Sequence, residues 1–225
     1  MAELIVALDQ RDAASAFALV DRLPPGAMVK VGSVLFTSAG PGFVRALVEQ
    51  HHPVFLDLKW HDIPNTVAGA ATSAASLGVR MATVHASGGE AMIRAAVAAA
   101  EGRFDIIAVT VLTSFDAAGY SAATGRDAVD PGAEVARLTR LAVAAGVAGV
   151  VCSPREIGIV RPIVRGHVVV PGIRRDADAA ADQRRVADPA AAVAAGATHL
   201  VIGRPISEAA DPAAAYREFA RIAGS

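Results

Sequence analysis

The sequence predicts an α/β fold, a (β/α)8 TIM barrel formed as a single domain over residues 1–225. Three observations carry that expectation: eight short apolar runs, an alanine-rich helical segment after each, and no composition break along the 225 residues. Strands buried on both faces read as continuous apolar runs, which marks them as parallel. Eight of them with a helix after each close most economically into a barrel. An open doubly wound sheet is the alternative. No G-x-G-x-x-G follows the first strand, which argues against its dinucleotide-binding form.

Strands are expected at 3–8, 27–31, 53–59, 80–85, 105–112, 147–152, 167–171 and 198–202. Helices are expected at 13–22, 41–50, 66–77, 90–100, 132–145, 154–164, 189–195 and 212–222. Pro41, Pro154, Pro189 and Pro212 open four of the helices, where a missing N–H costs nothing. Gly78, Gly102, Gly146 and Gly196 stand where helices end before the next strand. Pro64 stiffens the turn after strand three, and Asn65 or Thr66 is placed to cap the following helix. The longest irregular segment, residues 172–189, is charged and follows strand seven, as a lid over a site would.

The totals narrow the function. A formal charge of -1 gives no basic excess for nucleic acid. The apolar runs are broken by Gly, Asp or Arg, too short for a bilayer span of about 20 residues. "MAELIVALDQ" lacks the basic flank of a signal peptide. Lone Cys152 excludes an internal disulfide and fits a reducing compartment. A cytoplasmic protein with no membrane or nucleic-acid partner is expected. No H-x-H or H-E-x-x-H pattern and no second cysteine is present, so no metal is expected.

Of 21 basic residues only Lys30 and Lys59 are lysines. The Ala, Arg, Gly and Val richness resembles a GC-biased coding sequence, which exchanges surface lysines for arginines. Lysines survive such a bias where a compact ammonium capable of proton transfer is needed. Both fall on strand ends, where barrels place their chemistry. Strand one ends in Asp9, strand three carries Asp57 and Lys59, and strand four ends in His85. Asp57 and Lys59 share a face that points into the barrel, while Leu56 and Leu58 face the helices. A structural ion pair is the plain alternative for Asp57 and Lys59, and a solvated loop carboxylate for Asp62. After strands seven and eight, N–H groups near Gly172 and Gly203, with Arg204 and Gln183, could hold a phosphate. Arg204 could instead pair with Glu208.

"DLKWHDIPNT", residues 57–66, closely resembles the D-x-K-x-x-D-I-P-x-T signature of the orotidine 5′-monophosphate decarboxylase family. "ALD" (7–9), "KVG" (30–32), "HASGG" (85–89), "VLTS" (111–114), "PGIR" (171–174) and "IGRPI" (202–206) resemble its other landmarks, in the family's order. The short chain looks like the stand-alone bacterial form. The resemblance implies a cofactor-free conversion of orotidine 5′-phosphate to uridine 5′-phosphate, by a homodimer with shared sites. It makes Lys59 the proton donor to C6 and sets Asp57 where the leaving carboxylate lies. Lys30 and Asp9 hold the ribose, while Asp62 and Thr66 reach the neighbouring subunit's site. Thr113 and Ser114 face the pyrimidine. Pro171 and Arg174 stand at the start of the lid; Gln183, Gly203 and Arg204 take the phosphate. Magnesium-dependent sugar-phosphate enzymes look similar around the motif, but resemble an "EVG" version of strand two with a metal-binding Glu. This chain has Lys30 there. A non-catalytic phosphate-binding barrel is the remaining alternative.

Overall fold

The computed structural model describes residues 1–174 and 188–224. Eight parallel strands close into a barrel in chain order: β1 (Glu3–Leu8), β2 (Met28–Gly32), β3 (Val54–Trp60), β4 (Met81–His85), β5 (Asp105–Val109), β6 (Gly149–Val151), β7 (His167–Val170) and β8 (His199–Ile202). The helices packed outside are α1 (Ala13–Val20), α2 (Ser33–Glu49), α3 (Pro64–Leu77), α4 (Gly89–Ala100), α5 (Ala117–Thr124), α6 (Pro131–Ala144), α7 (Ile157–Val160), α8 (Pro189–Ala194), α9 (Arg204–Ser207) and α10 (Pro212–Gly224). No described helix is long and apolar enough to cross a membrane.

Strand alternation divides the core in two. Ile5, Met28, Phe55, Met81, Ile107 and Val169 fill the barrel interior. Leu56 and its equivalents on other strands pack outward against the helices, with Leu58 at the margin. Each fully buried large side chain contributes about 1.5–3 kcal/mol by leaving water. The inner cluster also plugs the barrel, so chemistry is confined to its rim.

Several boundaries differ from expectation for identifiable reasons. β5 stops at Val109, not at 112, because both flanking strands run out there: His85 and Val151 are its last partners. Thr113 and Ser114 therefore sit in a turn beyond the sheet. α3 starts at Pro64, with Ile63 at the cap and no side-chain cap bond, so neither Asn65 nor Thr66 caps it. Proline at the first helical position removes an N–H that would otherwise need a cap. α2 begins at Ser33 and is kinked at Gly40, whose φ of 70° precedes Pro41. Glu101, not Gly102, holds the left-handed cap of α4. The expected helix at 154–164 is a 3₁₀ turn, Pro154–Glu156, followed by the single turn of α7. α5 and α9 are additional to the expected helices. Aspartates supply the missing punctuation: Asp12, Asp116, Asp130 and Asp188 accept backbone N–H groups at the starts of α1, α5, α6 and α8.

α5 is held by a buried carboxylate. Glu134 of α6 accepts from Tyr120 (3.0 Å) and Arg137 (2.8 and 2.9 Å), and pairs with Arg126 (3.1 Å). The Arg137 hydrogen bonds, then those of Arg126 and Tyr120, outweigh burial and hold the Glu134 carboxyl down at about 2.

Candidate active site

Charge alternates across the mouth of the barrel. Lys30 Nζ lies 3.2 Å from Asp9 Oδ1 and 3.8 Å from Asp57 Oδ2; Lys59 Nζ lies 2.7 Å from the same Asp57 oxygen. Lys30 lies on β2, and Asp57 and Lys59 on β3, while Asp9 follows the last residue of β1; the three strands are neighbours in the sheet. Side-chain exposure rises from 12–13% for Asp57 and Lys30 to 35% for Lys59 and 71% for Asp9. The two inner groups are thus shielded from solvent, where a charge acts more strongly than in water. Gly32 leaves room for this: a Cβ there would lie 3.1 Å from Lys30 Nζ.

The strand that carries Asp57 and Lys59 is irregular at this point. Leu56 pairs with Ala82 and Trp60 with Val84, so four steps along β3 match two along β4. Lys59 takes up the excess with a φ of 51°, unusual for a residue with a side chain. Such a conformation costs of order 1–3 kcal/mol and persists only where its surroundings enforce it. The Lys59 N–H donates to Thr83 Oγ1 (2.8 Å), and the Thr83 hydroxyl donates to Asp57 Oδ1 (3.0 Å).

Lys30, Asp57, Lys59, Thr113 and Pro171 line a cavity of about 170 Å³ whose floor is apolar, formed by Phe55, Val169 and Val201. One wall is charged and the floor is apolar. Ser114 is exposed beside Thr113 but does not line this cavity. Arg174 is buried just beyond β7, whereas Arg204 is exposed at the start of α9. Gly203 comes next to the charged row, its Cβ direction 3.6 Å from Asp9 Oδ2. Gln183, and most of the 172–189 segment, lie outside the described residues.

Asp62 and Thr66 are not in the Lys59 cavity. Residues 61–66 are all exposed, and Asp62 Oδ1 accepts from the following Ile63 N–H (2.6 Å). Asp62 opens onto a separate cleft with His61, Pro64 and Gly88. His85 lies between the two regions, its ring 5.5 Å from that of His61. Burial, then the neighbouring His61 and Lys59, push the His85 pKa below 6.5. Thr83 is not among the residues to which the sequence points. Its only signal there was a polar residue inside the apolar run "MATVH", two places before His85 and hence on its face.

The fold is that of the (β/α)8-barrel class, and the row of charges stands at the strand ends, where enzymes of that class carry their chemistry. The model of the Orotidine 5′-phosphate decarboxylase / HUMPS family matches residues 2–219. The chain belongs to that family. It is 54% identical over 222 residues to an orotidine 5′-phosphate decarboxylase of Halorhodospira halophila, covering 94% of this chain and 92% of the relative. It is 53% identical over 199 residues to that of Anaeromyxobacter sp. (strain K), covering 88% and 87%. The crystal structure of orotidine 5′-phosphate decarboxylase from Lactobacillus acidophilus superposes with a TM-score of 0.90 at 33% identity, covering 100% of both chains.

Proposed function

We propose that the protein decarboxylates orotidine 5′-phosphate, giving uridine 5′-phosphate and CO2 as a carboxy-lyase of pyrimidine biosynthesis. The observation that carries this is the Asp9–Lys30–Asp57–Lys59 row at the mouth, in a chain about half identical to decarboxylases of that name.

The C6–carboxylate bond breaks and its electron pair stays on C6, in the ring plane and poorly delocalised. Lys59 stabilises that charge and then transfers a proton to C6; the neutral amine is reprotonated from water. An ammonium about 4 Å from the developing charge contributes roughly 4 kcal/mol at an effective dielectric near 20. It accelerates the reaction only as far as it is stronger in the transition state than before it. Asp57, close beside the leaving carboxylate, holds the Lys59 ammonium in the cavity. Lys30 and Asp9 take the ribose hydroxyls; Thr113 faces the pyrimidine from the cavity wall, with Ser114 exposed beside it. Pro171, Arg174, Gly203, Arg204 and Gln183 are assigned to the phosphate side. The 172–189 segment is the closing element, which would let remote phosphate binding position the ring.

No metal or organic cofactor is assigned. The likeness to the magnesium-dependent sugar-phosphate enzymes implies a metal-binding Glu where this chain has Lys30, and two ammoniums beside Asp57 repel a cation. The working unit is proposed to be a cytoplasmic homodimer in which Asp62 and Thr66 complete the neighbour's site. Exposure of Asp62 away from its own cavity supports this, as do Ile63 and Val34, which are 65% and 63% exposed. The test is loss of pyrimidine absorbance from orotidine 5′-phosphate in excess chelator. Steady loss is expected; no turnover, with magnesium-dependent turnover of a sugar phosphate instead, contradicts the reading.

A further inference from the structure

Thr83 has no part in the chemistry above, yet its single hydroxyl joins the two residues that do most of it. A backbone N–H only donates and a carboxylate only accepts, so both hydrogen bonds have a fixed direction. Thr83 Oγ1 accepts from Lys59 N–H at 2.8 Å and spends its only proton on Asp57 Oδ1 at 3.0 Å. The side chain is fully buried, so water cannot take over either bond.

The position of this hydroxyl follows from the irregular pairing. Between Leu56 and Trp60, β3 carries two more residues than β4 opposite it. The peptide N–H of Lys59 therefore has no matching carbonyl on β4, and the Thr83 side chain fills that place. This bond fixes the backbone of Lys59 at its φ of 51°, from which the side chain turns into the mouth. The second bond fixes the Asp57 carboxylate by one oxygen. The other oxygen, Oδ2, then faces both Lys59 at 2.7 Å and Lys30 at 3.8 Å.

We propose that Thr83 is a positioning residue for the decarboxylation: its hydroxyl sets the Lys59 backbone and the Asp57 rotamer together, and so aims the proton donor. The inference rests on the decarboxylase reading. Thr83 is fully buried and does not line the cavity, so its loss should lower kcat through misplacement while leaving nucleotide binding in place.

Two variants separate the hydroxyl from the packing. Thr83→Val keeps the branched shape and removes both hydrogen bonds; Thr83→Ser keeps the hydroxyl. Turnover of orotidine 5′-phosphate, uridine 5′-phosphate affinity and Tm are measured for each beside the parent. Thr83→Val should lower kcat roughly 10- to 100-fold, with KM and product affinity changed less than about threefold. Thr83→Ser should restore most of kcat. A Thr83→Val kcat within about twofold of the parent overturns the proposal. So does a serine variant as impaired as the valine one, or product affinity falling as far as kcat. If Thr83→Val does not fold, Thr83→Ala against Thr83→Ser makes the same comparison. Parent protein without turnover sinks the decarboxylase reading itself, whereas an active parent indifferent to Thr83→Val sinks only the positioning role.

Discussion

Lys59 Nζ lies 2.7 Å from Asp57 Oδ2, although the two residues are only two apart on a strand whose pairing is broken between them. In a regular strand, side chains at i and i+2 project side by side from one face. Here the left-handed turn at Lys59 brings the ammonium back onto the carboxylate. The pair is part of a row of four charges, and each cation in it touches a carboxylate. Preorganised charge of this kind needs no rearrangement when the reaction begins.

The Glu134 cluster should anchor the segment that follows the Thr113–Ser114 turn. Its carboxyl titrates near 2 in the fold against 4.5 in the unfolded chain, mainly through Arg137. A depressed carboxylate contributes stability above pH 4.5 that is lost as pH falls toward 2. At neutral pH, Glu134→Gln should cost about 1–2 kcal/mol, since both arginines are half exposed and screened. Calorimetry should record a Tm lower by roughly 2–8 °C. An unchanged Tm would show that α5 is held by packing alone.

His85 should make the fold sensitive to mild acid. Its pKa is lowered below 6.5, first by burial and then by His61 and Lys59. Below that pH the unfolded chain gains a proton that the native His85 refuses, so stability falls with pH. The loss levels off once native His85 protonates as well. Urea denaturation between about pH 7 and 5 should show a shallower pH dependence in His85→Gln than in the parent. Parallel curves would place the sensitivity elsewhere.

Subunit mixing tests the shared site. Lys59→Ala and Asp62→Ala homodimers should each be inactive, but a heterodimer keeps one site with both residues intact. Random exchange should restore roughly a quarter of parental sites. Assembled heterodimers without recovered turnover would return Asp62 to a role in its own subunit or in solvent.

The barrel was legible because its signals are local. Continuous apolar runs, prolines at helix starts and glycines near helix ends each act within a few residues, and they located all eight strands. Lys30, Asp57 and Lys59 were legible because composition bias made the lysines conspicuous and strand alternation gave them a face. What stayed hidden depends on partners distant in sequence. α5 lies in "SFDAAGYSAATG", which has weak helical patterning and is held through Tyr120 by Glu134 on the next helix. The end of β5 was set by neighbours that run out of length. Thr83 meets Asp57 across 26 residues, and nothing in "MATVH" shows that a carboxylate waits opposite.

The most direct test of the account is Lys59→Ala, assayed for both decarboxylation and product binding. Removing the ammonium forfeits at most roughly 4 kcal/mol of transition-state stabilisation, up to about a thousandfold in kcat, and with it the proton transfer. Decarboxylation of orotidine 5′-phosphate should therefore fall below detection, while uridine 5′-phosphate still binds through Asp9, Lys30 and the phosphate side. Near-normal turnover by Lys59→Ala would contradict the account.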